Sequence, residues 1–151
     1  MKHIQFLYLL LAGTVITSCG DPAAKGKQPV STVAIASLSL NDILDATKVN
    51  LFLKNKPTSS SKESNDLFMK GVDAYKNKKM LDSARYYFEH SLQQQPAPNA
   101  YYELGNVYKE LKSYDKALAS YKLAERMEYA PFSNILYQMA GTFALKGDIE
   151  M

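Results

Sequence analysis

The chain lacks the parts from which a cross-linked, metal-held or catalytic fold is made. Its 151 residues include one cysteine, Cys19, two histidines, His3 and His90, and no tryptophan. A single thiol makes no internal disulfide framework, and histidines so far apart give no Cys/His cluster of zinc-ligand spacing. There is no glycine-rich phosphate loop, no His-Glu-x-x-His and no serine elbow. His90, beside Glu89 on a helical stretch, reads as a surface residue rather than a general base. The expectation is a non-enzymatic chain with no catalytic residue, no metal and no cofactor.

An excess of one charge is also missing where folding is expected. The net charge is +3, yet residues 65–151 hold 11 basic and 11 acidic side chains, and residues 20–64 hold six lysines against four acids. A neutral folded part with interspersed signs is not the footprint of a nucleic-acid binder, so no nucleic-acid partner is expected. What the chain does have is tyrosine: eleven, ten of them beyond residue 64.

The N-terminus has the three parts of an export signal: Met-Lys-His, an apolar run from Ile4 to Val15, then small residues before Cys19. It is shorter than the roughly 20 apolar residues that span a bilayer. Its ending, Ile16-Thr17-Ser18-Cys19, resembles the bacterial lipobox. That resemblance makes residues 1–18 a lipoprotein signal peptide and Cys19 the lipidated, palmitate-bearing first residue of the mature chain. Two or three acyl chains anchor a protein stably where one does not. Gly20, rather than an aspartate, after the cysteine points to the outer membrane, facing the periplasm or the surface. An ordinary secretion signal or an uncleaved anchor is the alternative reading of the same residues.

Residues 19–64 read as a tether. Gly20 to Val30 contains two prolines, two glycines and no large apolar residue before its end, and Lys56-Pro57-Thr58-Ser59-Ser60-Ser61-Lys62 is a second linker signal. Between them, Leu40, Ile43, Leu44, Thr47 and Leu51 fall at helical spacing behind Ser39 and Asn41, predicting a short amphipathic helix near 40–54 that covers an end of the following domain. A loosely ordered segment with β tendency around 32–38 is the rival, and the sequence leaves both open.

From residue 65 the chain repeats. A shift of 33 brings Phe68 onto Tyr101, Gly71 onto Leu104, Val72 onto Gly105, Tyr75 onto Tyr108, Ala84 onto Ala117 and Phe88 onto Tyr121, with Lys76/Lys109, Lys79/Lys112 and Asp82/Asp115 identical. A partial third copy at a further shift of 35 places Leu136, Met139, Ala140 and Phe143 in the same roles. The second copy is the most regular: Tyr101-x-x-Leu104-Gly105-x-x-Tyr108, then Tyr114-x-x-Ala117-x-x-x-Tyr121-x-x-Ala124. Gly105 and Ala117 are small where two antiparallel helices must approach, and the rings fill the space around them. In the first copy Val72 stands where the glycine should be, with Gly71 beside it, which predicts a slight shift in packing. This pattern resembles the tetratricopeptide repeat. The resemblance implies an all-α solenoid of antiparallel helix pairs over 65–151, with copies at about 65–97, 98–130 and a partial 133–151. Tyr75, Tyr101, Tyr108, Tyr114 and Tyr121 then become packing parts rather than a ligand cage.

Such solenoids present the first helix of each repeat along a concave groove. In the repeat register the groove-facing residues are Asp66, Met69, Asp73 and Lys76, then Asn99, Tyr102, Asn106 and Lys109, then Asn134, Tyr137 and Gly141. A polar, mixed-charge surface with two aromatic anchors suits a protein or peptide ligand better than a small molecule; each position also reads as plain solvated surface. The Lys, Asn and Arg set with which related domains clamp the chaperone C-terminus is missing: Met69, Asp73, Asn134 and Gln138 stand there instead. Residues 129–145 carry no charge, so the apolar helix 132–146 is expected to be covered by further repeats, by self-association or by a partner. Together these readings predict an envelope lipoprotein whose repeats serve as a scaffold or assembly adaptor for other proteins. A glycan- or nutrient-binding surface lipoprotein on related helices is the alternative.

Overall fold

The computed structural model describes residues 37–55 and 61–150, with side chains through Gly147. The chain divides into two units, Met1–Thr32 and Val33–Met151, of which the first lies outside the described residues. The signal, Cys19, the tether through residue 36 and most of the second linker, 56–60, also lie outside them. The described residues are all-helical with no strand: α1 (Ala46–Asn55), α2 (Lys62–Val72) running into a π-helical turn (Asp73–Asn77), α3 (Leu81–Gln94), α4 (Pro98–Glu110), α5 (Tyr114–Arg126) and α6 (Phe132–Glu150). Neighbours pack in pairs, α2 on α3 and α4 on α5, with α3 against α4 and α5 against α6 joining the pairs.

Several helix ends have a local cause. The Asp45 carboxylate accepts from the backbone N–H groups of Thr47 and Lys48 at 2.8 and 3.1 Å, an N-cap that starts α1 at Ala46. Residues 40–44, which the periodicity assigned to this helix, form turns instead, braced by Ser39 Oγ donating to Asp42 Oδ2 at 2.8 Å. Ser61 caps α2 by accepting from Ser64 N at 3.0 Å, and Pro98 opens α4, where a missing N–H costs nothing. The ends of α4 and α5 share one device. Lys112 and Glu128 take left-handed φ values of 58° and 59°, and Ser113 N and Tyr129 N reach back to the carbonyls of Tyr108 and Ala124 at 2.8 and 3.0 Å, satisfying carbonyls the helix leaves open. A lysine at such a position carries strain that glycine would relieve. Lys112→Gly is therefore expected to stabilise the chain by about 0.5–1 kcal/mol after the glycine's extra unfolded-state entropy is counted, read as a higher midpoint in a urea melt.

The two glycines that face a partner helix show how the copies superimpose. A Cβ built on Gly105 would lie 2.5 Å from the Tyr121 ring, and one on Gly71 would lie 2.6 Å from the Phe88 ring. The two contacts are equivalent, so Gly71, not Val72, is the counterpart of Gly105. The ring pairs agree: Phe68 against Phe88 at 5.7 Å corresponds to Tyr102 against Tyr121 at 6.0 Å. First helices thus align at a shift of 34 up to the glycine, whereas second helices align at 33. The first copy has one extra residue after Gly71, and the π-helical turn absorbs it, with Lys78 N donating to Asp73 O at 3.2 Å. A π turn carries one more residue than the α turn it replaces, so it takes up an insertion without breaking the helix.

The core runs through both copies: Ala84, Phe88 and Leu92, then Tyr101, Leu104, Val107 and Tyr108, then Ala117, Tyr121 and Ala124 are all buried. Buried tyrosines need an acceptor for the hydroxyl, and each finds one. Tyr108 donates to Glu89 Oε1 at 2.6 Å, Tyr121 to Asn106 Oδ1 at 2.8 Å and Tyr101 to the Ile43 carbonyl at 2.8 Å. The last of these ties the N-terminal segment to the second copy. Gln93 adds a reciprocal clasp, accepting from Leu38 N at 2.9 Å through its carbonyl and donating from Nε2 to Leu38 O at 3.0 Å. Leu38, Ile43, Val49 and Phe52 join the core from this segment. Where α2 crosses α3, Ser64 and Ser91 exchange hydrogen bonds with each other's carbonyls at 3.1 and 2.8 Å.

Candidate functional site on the first helices

The helices α2, α4 and α6 begin the three copies, and polar side chains link them in sequence. Lys76 pairs with Glu103 of α4 at 2.6 Å, Tyr75 donates to Glu110 of α4, and Lys109 of α4 donates to Gln138 of α6. At the centre, Asn106 donates to Glu103 at 3.3 Å while accepting the Tyr121 hydroxyl. Beside this network the Tyr102 ring stacks on Tyr129, from the α5–α6 connection, with centroids 4.4 Å apart and planes within 10°. Glu103 holds the Lys76 ammonium above its ordinary pKa by hydrogen bonding, and burial pushes the Tyr129 phenol upward. The Tyr75 phenol is raised by burial and by Glu110.

Of the residues assigned to this face from sequence, Lys76, Tyr102, Asn106 and Lys109 come together in that network. Asn106 is buried and spends its amide on structure rather than standing open. Tyr102 is half-buried against Tyr129. Met69 and Tyr137 are open, 61% and 78% exposed, and Asp66, Asn99 and Asn134 lie exposed; Asn99 turns its Oδ1 back onto Ala100 N at 2.9 Å. Gly141 has open space where a side chain would stand.

Asp73 departs from the row. It pairs with Lys78 at 2.6 Å and accepts from Asn77 at 2.9 Å, and it lines a cleft of roughly 240 Å³ between α2 and α3 with Lys70, Met80, Ser83 and Tyr87. Lys78 and Asn77 hold its carboxyl below the ordinary value. The reason is the one-residue offset upstream of the π turn: Phe68, not Met69, occupies the place of Tyr102, and one residue of slip rotates a helical position by about 100°. Reading the copies at 33 therefore put Asp66 and Met69 one position off the row, and Asp73 falls in the π turn itself. Sequence reasoning missed Glu103 and Tyr129. The signal for Glu103 was an acid within reach of the Lys76 and Lys109 row, visible only once the register is known.

With the geometry in place, comparison with known protein families gives one finding. Residues 98–130 match the tetratricopeptide repeat. No curated protein and no solved structure matches the chain. The matched segment is α4, α5 and the turn that follows, the copy in which Gly105 and Tyr121 stand in regular order. Tetratricopeptide repeats are typically non-catalytic modules that bind protein or peptide partners, and a repeat of this kind points to a protein–protein interaction scaffold. Among the described residues there is no group of three or more side chains able to hold a metal ion, and no helix long and apolar enough to cross a membrane.

Proposed function

We propose that this chain is a lipid-anchored bacterial envelope protein that holds a protein partner on the face built by α2, α4 and α6, serving as an assembly adaptor rather than an enzyme. The observation that carries the binding half is the Tyr102–Tyr129 stack beside the Lys76–Glu103 pair. It is a rigid aromatic floor with charged groups at its edge, flanked by the open side chain of Tyr137. Aromatic anchors with a polar surround are the usual composition of a peptide-binding surface. The anchoring half rests on the lipobox-like Ile16-Thr17-Ser18-Cys19, with Cys19 as the acylated residue and the outer membrane as the site.

Two measurements test the halves separately. Metabolic labelling with a fatty acid should mark the protein and vanish in Cys19→Ala; labelling unchanged by that substitution rejects the anchor. Photo-crosslinking from position 137 in intact envelopes should yield one dominant adduct, and Lys76→Glu with Tyr137→Ala should reduce recovery of that partner at least tenfold, a loss of about 1.4 kcal/mol. A partner retained at full yield by the double variant rejects this face as the binding surface.

A further inference from the structure

The cleft between α2 and α3 arises from differences between the two copies. In the register fixed by the two glycines, Lys70 stands where the second copy has Leu104. Beyond the π turn, Ala74 and Lys78 stand where it has Val107 and Leu111, and on α3 Tyr87 stands where it has Ser120. Leu104, Val107 and Ser120 are fully buried, and α3 packs against the helix that carries the first two. Two lysines and a smaller side chain at those places make a surface that another apolar repeat helix would not cover. Yet this side is more than a solvated end. Ala74 is buried, Met80 is half exposed, and with the Tyr87 ring they give the cleft an apolar lining. Its roughly 240 Å³ falls short of the ~300–1,000 Å³ of small-molecule pockets, but it takes one bulky side chain. Ser83 and Tyr87 bring hydroxyls that can meet a backbone carbonyl.

Charge around the cleft is uneven. Lys70 and Lys78 line it against one acid, Asp73, and Lys78 takes that acid at 2.6 Å. Among the described residues Lys70 has no ion pair, and the exposed Lys79, between Lys78 and Met80 in the chain, has none either. We propose that this cleft is a second docking site, separate from the first-helix face, for an acidic segment of a partner protein that carries one bulky apolar residue between carboxylates. The apolar side chain enters against Ala74, Met80 and Tyr87, and the flanking carboxylates pair with Lys70 and Lys79. Methionine suits such a seat because its unbranched chain adapts to more than one shape. The seated side chain supplies most of the affinity, and the lysines choose the partner by charge. An acyl chain would need a much longer groove, and a phosphate group alone would leave the apolar lining unused.

The test uses the full-length chain in detergent and a fluorescein-labelled peptide, Glu-Asp-Phe-Asp-Glu, read by anisotropy. Binding should weaken at least tenfold when the phenylalanine becomes alanine, when the four acids become lysines, and in Lys70→Glu with Lys79→Glu. Met80→Ala should weaken it at least threefold. All three substituted positions are exposed, so helical circular dichroism should stay unchanged and separate a lost contact from a lost fold. A peptide with benzoylphenylalanine at its centre should crosslink to Met80 or Tyr87. No binding at about 1 mM peptide, equal binding of the lysine peptide, or indifference to the substitutions would each overturn the proposal. Crosslinks on α4 or α6 would overturn it too, giving the peptide to the first-helix face and leaving the role of that face intact. So would amide resonances of the cleft that move with glycerol 3-phosphate and not with the peptide, which would give the lysines to a lipid headgroup.

Discussion

Gly105→Ala should destabilise the chain by about 2 kcal/mol and Gly105→Val by about 3 kcal/mol or more, although glycine is normally a poor residue inside a helix. Replacing it by alanine in an open helix gains about 1 kcal/mol of propensity. Here the added Cβ would sit 2.5 Å from the Tyr121 ring, closer than atoms can approach. The ring cannot swing away, because Tyr121 is fully buried and its hydroxyl is held by Asn106. The α4 and α5 axes must separate, and overpacking of this kind costs about 1–3 kcal/mol, with β-branching adding to it. Gly71→Ala should behave alike through Phe88, whereas Gly141→Ala and Gly147→Ala, which meet nothing within 4 Å, should gain up to about 1 kcal/mol. Urea melts of the four alanine variants decide the matter; all four shifting the same way would refute the close approach. Tyr121→Leu added to Gly105→Ala should return part of the loss, since the smaller side chain vacates the space.

Raising the pH above 10 should unfold the protein well before alkali attacks its other interactions. Burial pushes the phenols of Tyr101 and Tyr121 far above their ordinary value of 10.0, and both rings are fully buried. With folded pKa values raised, their contribution is complete below pH 10 and is lost as the pH climbs, because the unfolded chain ionises first. Each costs about 1.4 kcal/mol per pH unit above 10, so the pair removes about 3 kcal/mol by pH 11. Tyr75 and Tyr108, raised by burial and by Glu110 and Glu89, act in the same direction, Tyr75 less, being closer to solvent. Lys76, raised by Glu103, adds to the loss once the pH passes its ordinary value, because the unfolded chain loses that proton first. Urea midpoints from pH 8 to 11, followed with phenolate absorbance near 295 nm, should fall together with a cooperative rise in ionisation. A flat midpoint through pH 11 would contradict it.

The helix pairs were legible because their signal is local and repeated: tyrosines, Gly105, Ala117 and Ala124 recur at spacings that only close helix packing explains. The start of α1 was not, because five residues of correct periodicity precede it and only the Asp45 side chain decides where the helix begins. The candidate face was half legible. Lys76, Tyr102 and Lys109 follow from any approximate register, whereas Glu103 and Tyr129 enter through partners in another helix or a connecting turn, which no pattern within one copy reveals. Asn106 shows the opposite limit. Its position marks it as facing the groove, but the buried Tyr121 hydroxyl claims its oxygen, and that demand arises in three dimensions.

The π-helical turn at Asp73–Asn77 has a consequence for how the first copy can change. It acts as a phase shifter between two stretches of one helix: Phe68 and Met69 keep step with the glycine and its ring, while Tyr75 and Lys76 keep step with the lysine turn and the second helix. A substitution upstream changes what packs against Phe88 without touching the Lys76–Glu103 pair, and one downstream does the reverse. The first copy can thus vary its apolar packing and its ionic link to α4 independently. The second copy, whose residues all ride on a single α-helical register, cannot.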